Sequence, residues 1–202
     1  MFDEVKKSYP NSWKALELSE DLANSADPYV ALEDPAHEVW ANYPTSCRHY
    51  IDALVRLRSK QVRPVILSAL IADFSEEDFV KLLDFLLVLT VRYQTVGRRR
   101  TGALEISCAR AASNIANKGL RSAEAVVSQL IGAIPSDEEF SADFQRYSEG
   151  INKRALYMLA ALEAGARTHS YDALVVDEIL KQASGPTVSH ILPRQTNEAW
   201  ND

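Results

Sequence analysis

The chain has 202 residues, 47% hydrophobic and 25% charged, a balance that excludes wholesale disorder and suffices for one domain with a core, or a domain plus a short piece of another. Only seven residues are glycine, so the turn punctuation of an all-β fold is lacking and helix is favoured before any pattern is read. The formal net charge of −6 is unevenly spread: residues 1–44 carry −6, 45–89 balance, 90–121 carry +6, and 122–202 carry −6 again. The basic island (Arg92, Arg98, Arg99, Arg100, Arg110, Lys118, Arg121) can meet an anionic partner, while the whole-chain charge opposes non-specific binding to DNA.

The first helix is expected over residues 13–26, capped by Asn11-Ser12 and broken by Asp27-Pro28. A polar loop with Pro28, Pro35 and Pro44 follows, with Trp40 and Tyr43 as packing anchors. Thr45 or Ser46 then caps a second helix whose apolar stripe is Cys47, Tyr50, Ile51, Leu54 and Leu57. Pro64 suits the first turn of a third helix over 65–73, apolar on most sides and expected to be buried. Ser75-Glu-Glu-Asp78 resembles a capping box and opens the strongest helix, with Phe79, Leu82, Leu83, Leu86, Leu87, Leu89 and Tyr93. This helix is expected at the centre of the fold.

Residues 97–102, with three arginines, read as a loop. Helices over 103–117 and 123–134 follow, with Gly119 after the first and Ser122 capping the second. A second Ser-x-x-Glu box, Ser136 to Glu139, opens a helix to about Tyr147, and its acidic run Asp137-Glu138-Glu139 complements the helix dipole rather than forming a metal site. An amphipathic helix over 151–164 uses Ile151, Ala155, Met158, Leu159 and Leu162, and one more is expected over 172–183. Beyond Gly185-Pro186 the composition turns β-like. The expected class is therefore all-α: an irregular bundle of seven to nine helices over 1–183, with a short extended tail over 184–202.

The longest apolar run, around residues 82–91, is interrupted by Asp84 and far shorter than the roughly 20 residues of a membrane span. No apolar h-region opens the chain. Cys47 and Cys108 lie in apolar helical patterns and read as buried reduced thiols, which fits a cytoplasmic protein. No phosphate-binding glycine loop, Cys-x-x-Cys pair or His-Glu-x-x-His run is present. His37, His49 and His169 are scattered singly and read as packed or solvated side chains.

His190 has different neighbours. The tail Thr187-Val-Ser-His-Ile-Leu-Pro-Arg-Gln-Thr-Asn-Glu-Ala-Trp200 resembles the opening of the HNH-type nuclease domain of the GmrSD-type modification-dependent restriction endonucleases. The resemblance extends upstream in order and spacing across nearly the whole chain. It includes Phe74-Ser-Glu-Glu-Asp-Phe79 leading into residues 82–92, Val96-Gly97-Arg98-Arg99, Ile134-Pro-Ser-Asp-Glu-Glu-Phe140, and Arg154-Ala-Leu-Tyr157 leading to Leu162-Glu163. The His-Ile-Leu-Pro run is its most specific element.

The resemblance implies a role in phage defence, with His190 as the general base that takes a proton from water while Mg²⁺ stabilises the phosphate transition state. Ser189 stands where the family usually has a glutamate, which alters the tuning of that base. The sequence ends at Asp202, before the second strand and helix that supply the family's remaining catalytic residues. Cleavage of DNA by the chain as given is therefore not expected, and no cofactor is expected in it. The family's N-terminal nucleotide-binding domain would likewise lie before Met1 or on a partner chain. Arg98, Arg99 and Arg100 are candidate contacts to DNA backbone phosphates; the competing account is a solvated loop, or arginines paired with the acidic helices nearby. The competing function is a standalone, non-enzymatic helical interaction module.

Overall fold

The computed structural model describes residues 6–181. Among them are nine α-helices of eight or more residues, two short 3-10 segments and one π-helical segment, with no strand, so the chain is all-α as its composition implied. The helices are α1 (Ser12–Ala31), α2 (Thr45–Arg56), α3 (Arg63–Ile71), α4 (Glu76–Leu89), α5 (Thr101–Lys118), α6 (Ala123–Leu130), α7 (Asp137–Gln145), α8 (Asn152–Thr168) and α9 (Ala173–Leu180). They divide into two compact units, residues 1–147 and 148–202. The expected boundary near 183 lies outside the described residues.

In the first unit the core is built around α4. Phe79, Leu82, Leu83, Leu86 and Leu89 are fully enclosed and Leu87 nearly so. Each such side chain contributes about 1.5–3 kcal/mol on burial. Against α4 pack α2 and α6, and α5 packs on both α3 and α6. The expected stripe of α2 is buried throughout: Cys47, Tyr50, Ile51, Leu54 and Leu57. Asp84, the one charge inside the apolar run of α4, accepts a hydrogen bond from the Tyr50 hydroxyl at 3.1 Å. Trp40 and Tyr43 are the anchors the sequence indicated. Trp40 is fully buried, its indole N–H donates to the Ala31 carbonyl at 2.9 Å, and Tyr43 lies 5.0 Å from the Phe79 ring.

Several expectations for the first unit are corrected. Pro28 does not break α1, which runs on to Ala31. A proline three residues from a helix end forfeits one backbone bond, and here the chain continues into the contacts of α1 with α3 and with the 3-10 segment Glu38–Asn42. Helix α2 is not capped by Thr45 or Ser46, because its N-cap is Pro44 and no side chain caps it. Helix α3 buries Val65, Ile66 and Ala69 but leaves Ile71 more than half exposed. The long central helix does not stay α-helical to Tyr93: from Thr90 to Val96 it widens to a π-helix. The Gly97 N–H there donates to the Arg92 carbonyl at 3.1 Å, and Thr90 is tied to Ser59 by a buried hydroxyl pair at 3.0 Å.

The second unit pairs α8 with α9. Tyr157, Met158, Ala160 and Ala164 of α8 face Ala173, Val176 and Ile179 of α9 within its core. Asp172 is the N-cap of α9 rather than its first residue, accepting from the N–H groups of Leu174 and Val175. Leu159 and Leu162, assigned to the buried stripe of α8, are instead about half exposed.

Candidate nucleic-acid interface

The arginine segment is built by the π-helix and its exit. A wider turn brings the Arg92 carbonyl against Gly97, where a Cβ would approach that oxygen to 2.6 Å, so only glycine fits without a shift. Arg98 then takes a left-handed backbone conformation at φ 46, and the Arg99 N–H donates to the Tyr93 carbonyl at 3.0 Å. The Tyr93 hydroxyl donates to the Arg100 carbonyl at 2.9 Å and fastens the far side of the turn. Helix α5 begins at Thr101 and takes no side-chain cap at its N-terminus.

The arginines diverge in what they touch. Arg92 donates to the Pro135 carbonyl at 3.0 Å, pairs with Asp137, and lies 4.9 Å from the Phe140 ring centroid. Arg99 pairs with Glu139 at 3.1 Å. Both therefore hold α7. Arg98 is exposed and lies over the Tyr147 ring at 5.8 Å, and the Arg100 side chain is exposed. Further along the basic island, Arg121 donates to the Ile115 and Leu120 carbonyls near the end of α5, whereas Arg110 and Lys118 are exposed.

The island is thus divided by the fold. Arg92, Arg99 and Arg121 bind the protein itself, Arg99 through Glu139 of α7. The exposed guanidinium groups of Arg98 and Arg100 flank the uncapped start of an 18-residue helix. Cations in that setting suit phosphate oxygens, which need charge and N–H donors but no base-specific geometry.

The acidic run Asp137-Glu138-Glu139 is indeed a helix start. Ser136 and Glu139 form a reciprocal capping box, with the Glu139 N–H donating to Ser136 Oγ at 3.2 Å and the Ser136 N–H to Glu139 Oε2 at 2.9 Å. The Ser136 N–H, and after it Arg99, hold the Glu139 carboxyl below its ordinary value. The sequence did not disclose which acids would be the partners of Arg92 and Arg99. Their separation along the chain, 45 residues for Arg92 and Asp137, leaves no local signal.

The other candidates are dispersed. His37 starts the 3-10 segment Glu38–Asn42 and accepts from the Val39 N–H at 3.3 Å, and His169 ends α8 in a left-handed conformation at φ 60. Cys47 and Cys108 are fully buried, and burial pushes both thiols up to about 12, which leaves no reactive thiolate near neutral pH. Among the described residues no group of three or more His, Cys, Asp or Glu is placed to hold a metal ion. His190 lies outside the described residues. No helix among the described residues is long and apolar enough to cross a membrane. Comparison with protein families, curated proteins and solved structures finds no match to this chain.

Proposed function

We propose that the chain is the helical scaffold of a DNA-targeting, restriction-type nuclease of the GmrSD kind, in which His190 is the general base and Arg98 and Arg100 contact backbone phosphates. The observation that carries this reading is the His190-Ile-Leu-Pro193 run, followed by Trp200 and preceded by a helical body whose motifs occur in the family's order. The placement of the arginines supports it: Arg92 and Arg99 hold α7, and Arg98 and Arg100 are exposed residues of a turn fixed by Gly97 and Tyr93. A scaffold needs a rigid body with cations presented from it, and α4 supplies the rigid body.

The test is phage plating on cells carrying the locus that encodes this chain, with the native sequence and with His190→Ala. Restriction of phage with modified DNA, lost in the variant, is the expected result. Equal plating efficiency on native and variant cells would remove the nuclease reading.

One observation favours the second reading, a non-enzymatic interaction module. Helix α1 displays Leu16, Leu22, Tyr29 and Val30 at half exposure or more, which is the form of a surface that binds protein. The two readings part on DNA, which an interaction module ignores.

A further inference from the structure

The turn that carries the arginines is complete without α7. It is closed by backbone bonds of the π-helix, by Gly97 against the Arg92 carbonyl, and by the Tyr93 hydroxyl on the Arg100 carbonyl. Helix α7 is laid against it. That helix has nine residues and buries none of them, and the element it packs on is the π-helix. A helix this short has little stability apart from its contacts.

Those contacts fall on the arginines. Asp137 pairs with Arg92 and Glu139 with Arg99, the Phe140 ring lies against Arg92, and the ring of Tyr147, just beyond the helix, lies under Arg98. Three of the four arginines between residues 92 and 100 thus meet the segment 137–147, and the fourth, Arg100, is exposed. The cover is loose. The Asp137 side chain is 83% exposed and that of Glu139 is 54% exposed, and ion pairs open to solvent are weak and screened by salt. At Arg99 the match is also incomplete, because its buried Nε has no hydrogen-bond partner among the described residues.

We propose that α7 is an internal competitor of a nucleic-acid backbone for the arginine segment. Its carboxylates occupy Arg92 and Arg99 in the free chain, and a run of phosphates displaces it and engages Arg92, Arg98, Arg99 and Arg100 together. The choice of occupant follows from the charges. Four guanidinium groups within nine residues outnumber the two carboxylates that pair with them. A phosphate backbone supplies one negative charge per nucleotide and oxygens for the whole guanidinium fork, Nε of Arg99 included. Because Gly97 and Tyr93 build the turn, the arginines stay placed when the helix leaves. The inference rests on the DNA-contact reading of the arginines, to which it adds two contacts and their regulation.

The test is the binding of a fluorescent DNA duplex of about 20 base pairs to the 202-residue chain, followed by anisotropy across a salt series. Glu139→Gln removes the charge facing Arg99 and keeps an acceptor for the Ser136 N–H, so α7 retains its cap. It should tighten binding about fivefold and steepen the log–log salt slope by about 0.9, the value of one further phosphate contact. Glu138→Gln makes the same change in net charge at an exposed acid that pairs with no arginine, and should alter affinity by less than about twofold. In the native chain, saturating duplex should quicken amide exchange in α7 about tenfold while the α4 amides keep their protection. Equal tightening by Glu138→Gln, or α7 amides that slow or stay unchanged on binding, overturns the competition and leaves the DNA contacts standing. A duplex that binds no form of the chain overturns both. An acidic peptide that releases α7 where the duplex does not assigns the segment to a protein partner and overturns the inference as well.

Discussion

Helices α4 and α7 begin with nearly the same four residues, Ser75-Glu-Glu-Asp78 and Ser136-Asp-Glu-Glu139, yet the fold uses them in opposite ways. In α7 the third acid is a glutamate, long enough to reach back to the Ser136 N–H and close the box on itself. In α4 it is an aspartate, one methylene shorter. The Asp78 carboxylate accepts from the Ser75 hydroxyl at 2.8 Å and, on its other oxygen, from the Ala123 N–H at 2.9 Å. It therefore serves the first turn of α6 as well as its own helix, and that backbone donor leads the interactions holding its carboxyl below the ordinary value. Beyond the caps the contrast widens. Helix α4 buries six large apolar side chains, whereas α7 buries none and is attached through Arg92 and Arg99. Similar starts license two helices, but only one is held by the hydrophobic effect.

The most forceful way to break the comparison is core truncation. Leu83→Ala in α4 should cost about 2–5 kcal/mol in urea unfolding, because its site is fully enclosed. Phe144→Ala in α7, which removes a partly exposed ring stacked on Tyr147, should cost less than about 1 kcal/mol. Equal costs would mean that α7 is buried against something the apolar contacts do not show.

Arg92→Ala sharpens it. That substitution removes a carboxylate pair, a carbonyl bond and a ring contact at once, and leaves α4 intact. Amide exchange of the α7 backbone should quicken about tenfold, the combined worth of an exposed ion pair and a cation–π contact, while the α4 amides keep their protection. If α4 amides quicken in parallel, the two helices open as one unit and the distinction fails.

The smallest effect is in pH. Glu139 has its carboxyl held down in the folded chain, so its contribution is present above the ordinary carboxylate range and is lost as pH falls through the lowered value. Exchange protection at the start of α7 should therefore decline below about pH 4 before the core of α4 responds. Glu139→Gln, which keeps an acceptor and removes the titration, should abolish that pH dependence.

The helical class, the central place of α4, the Trp40 and Tyr43 anchors and the caps Ser75, Ser122 and Ser136 were legible in the sequence, because each rests on residues within a turn or two of one another. Helix periodicity likewise named the α2 stripe correctly. It misplaced Leu159 and Leu162, because a periodic apolar pattern shows that a face is apolar and says nothing of whether another element covers it. The π-helix was invisible for a related reason. Whether residues 90–96 close their bonds at four or five residues depends on the Ser59–Thr90 pair and on Gly97 meeting Arg92, which are contacts of the folded chain.

The arginine segment shows the boundary most plainly. By itself the sequence determined that seven basic side chains and one acid would share residues 90–121, since charge is a local property of the chain. Only the tertiary structure decided which cations are spent. Arg92 and Arg99 are drawn to carboxylates some 40 residues away, Arg98 lies over the Tyr147 ring, and Arg100 is exposed. Partner choice among like charges follows from distance and desolvation, and both exist only once the chain has folded.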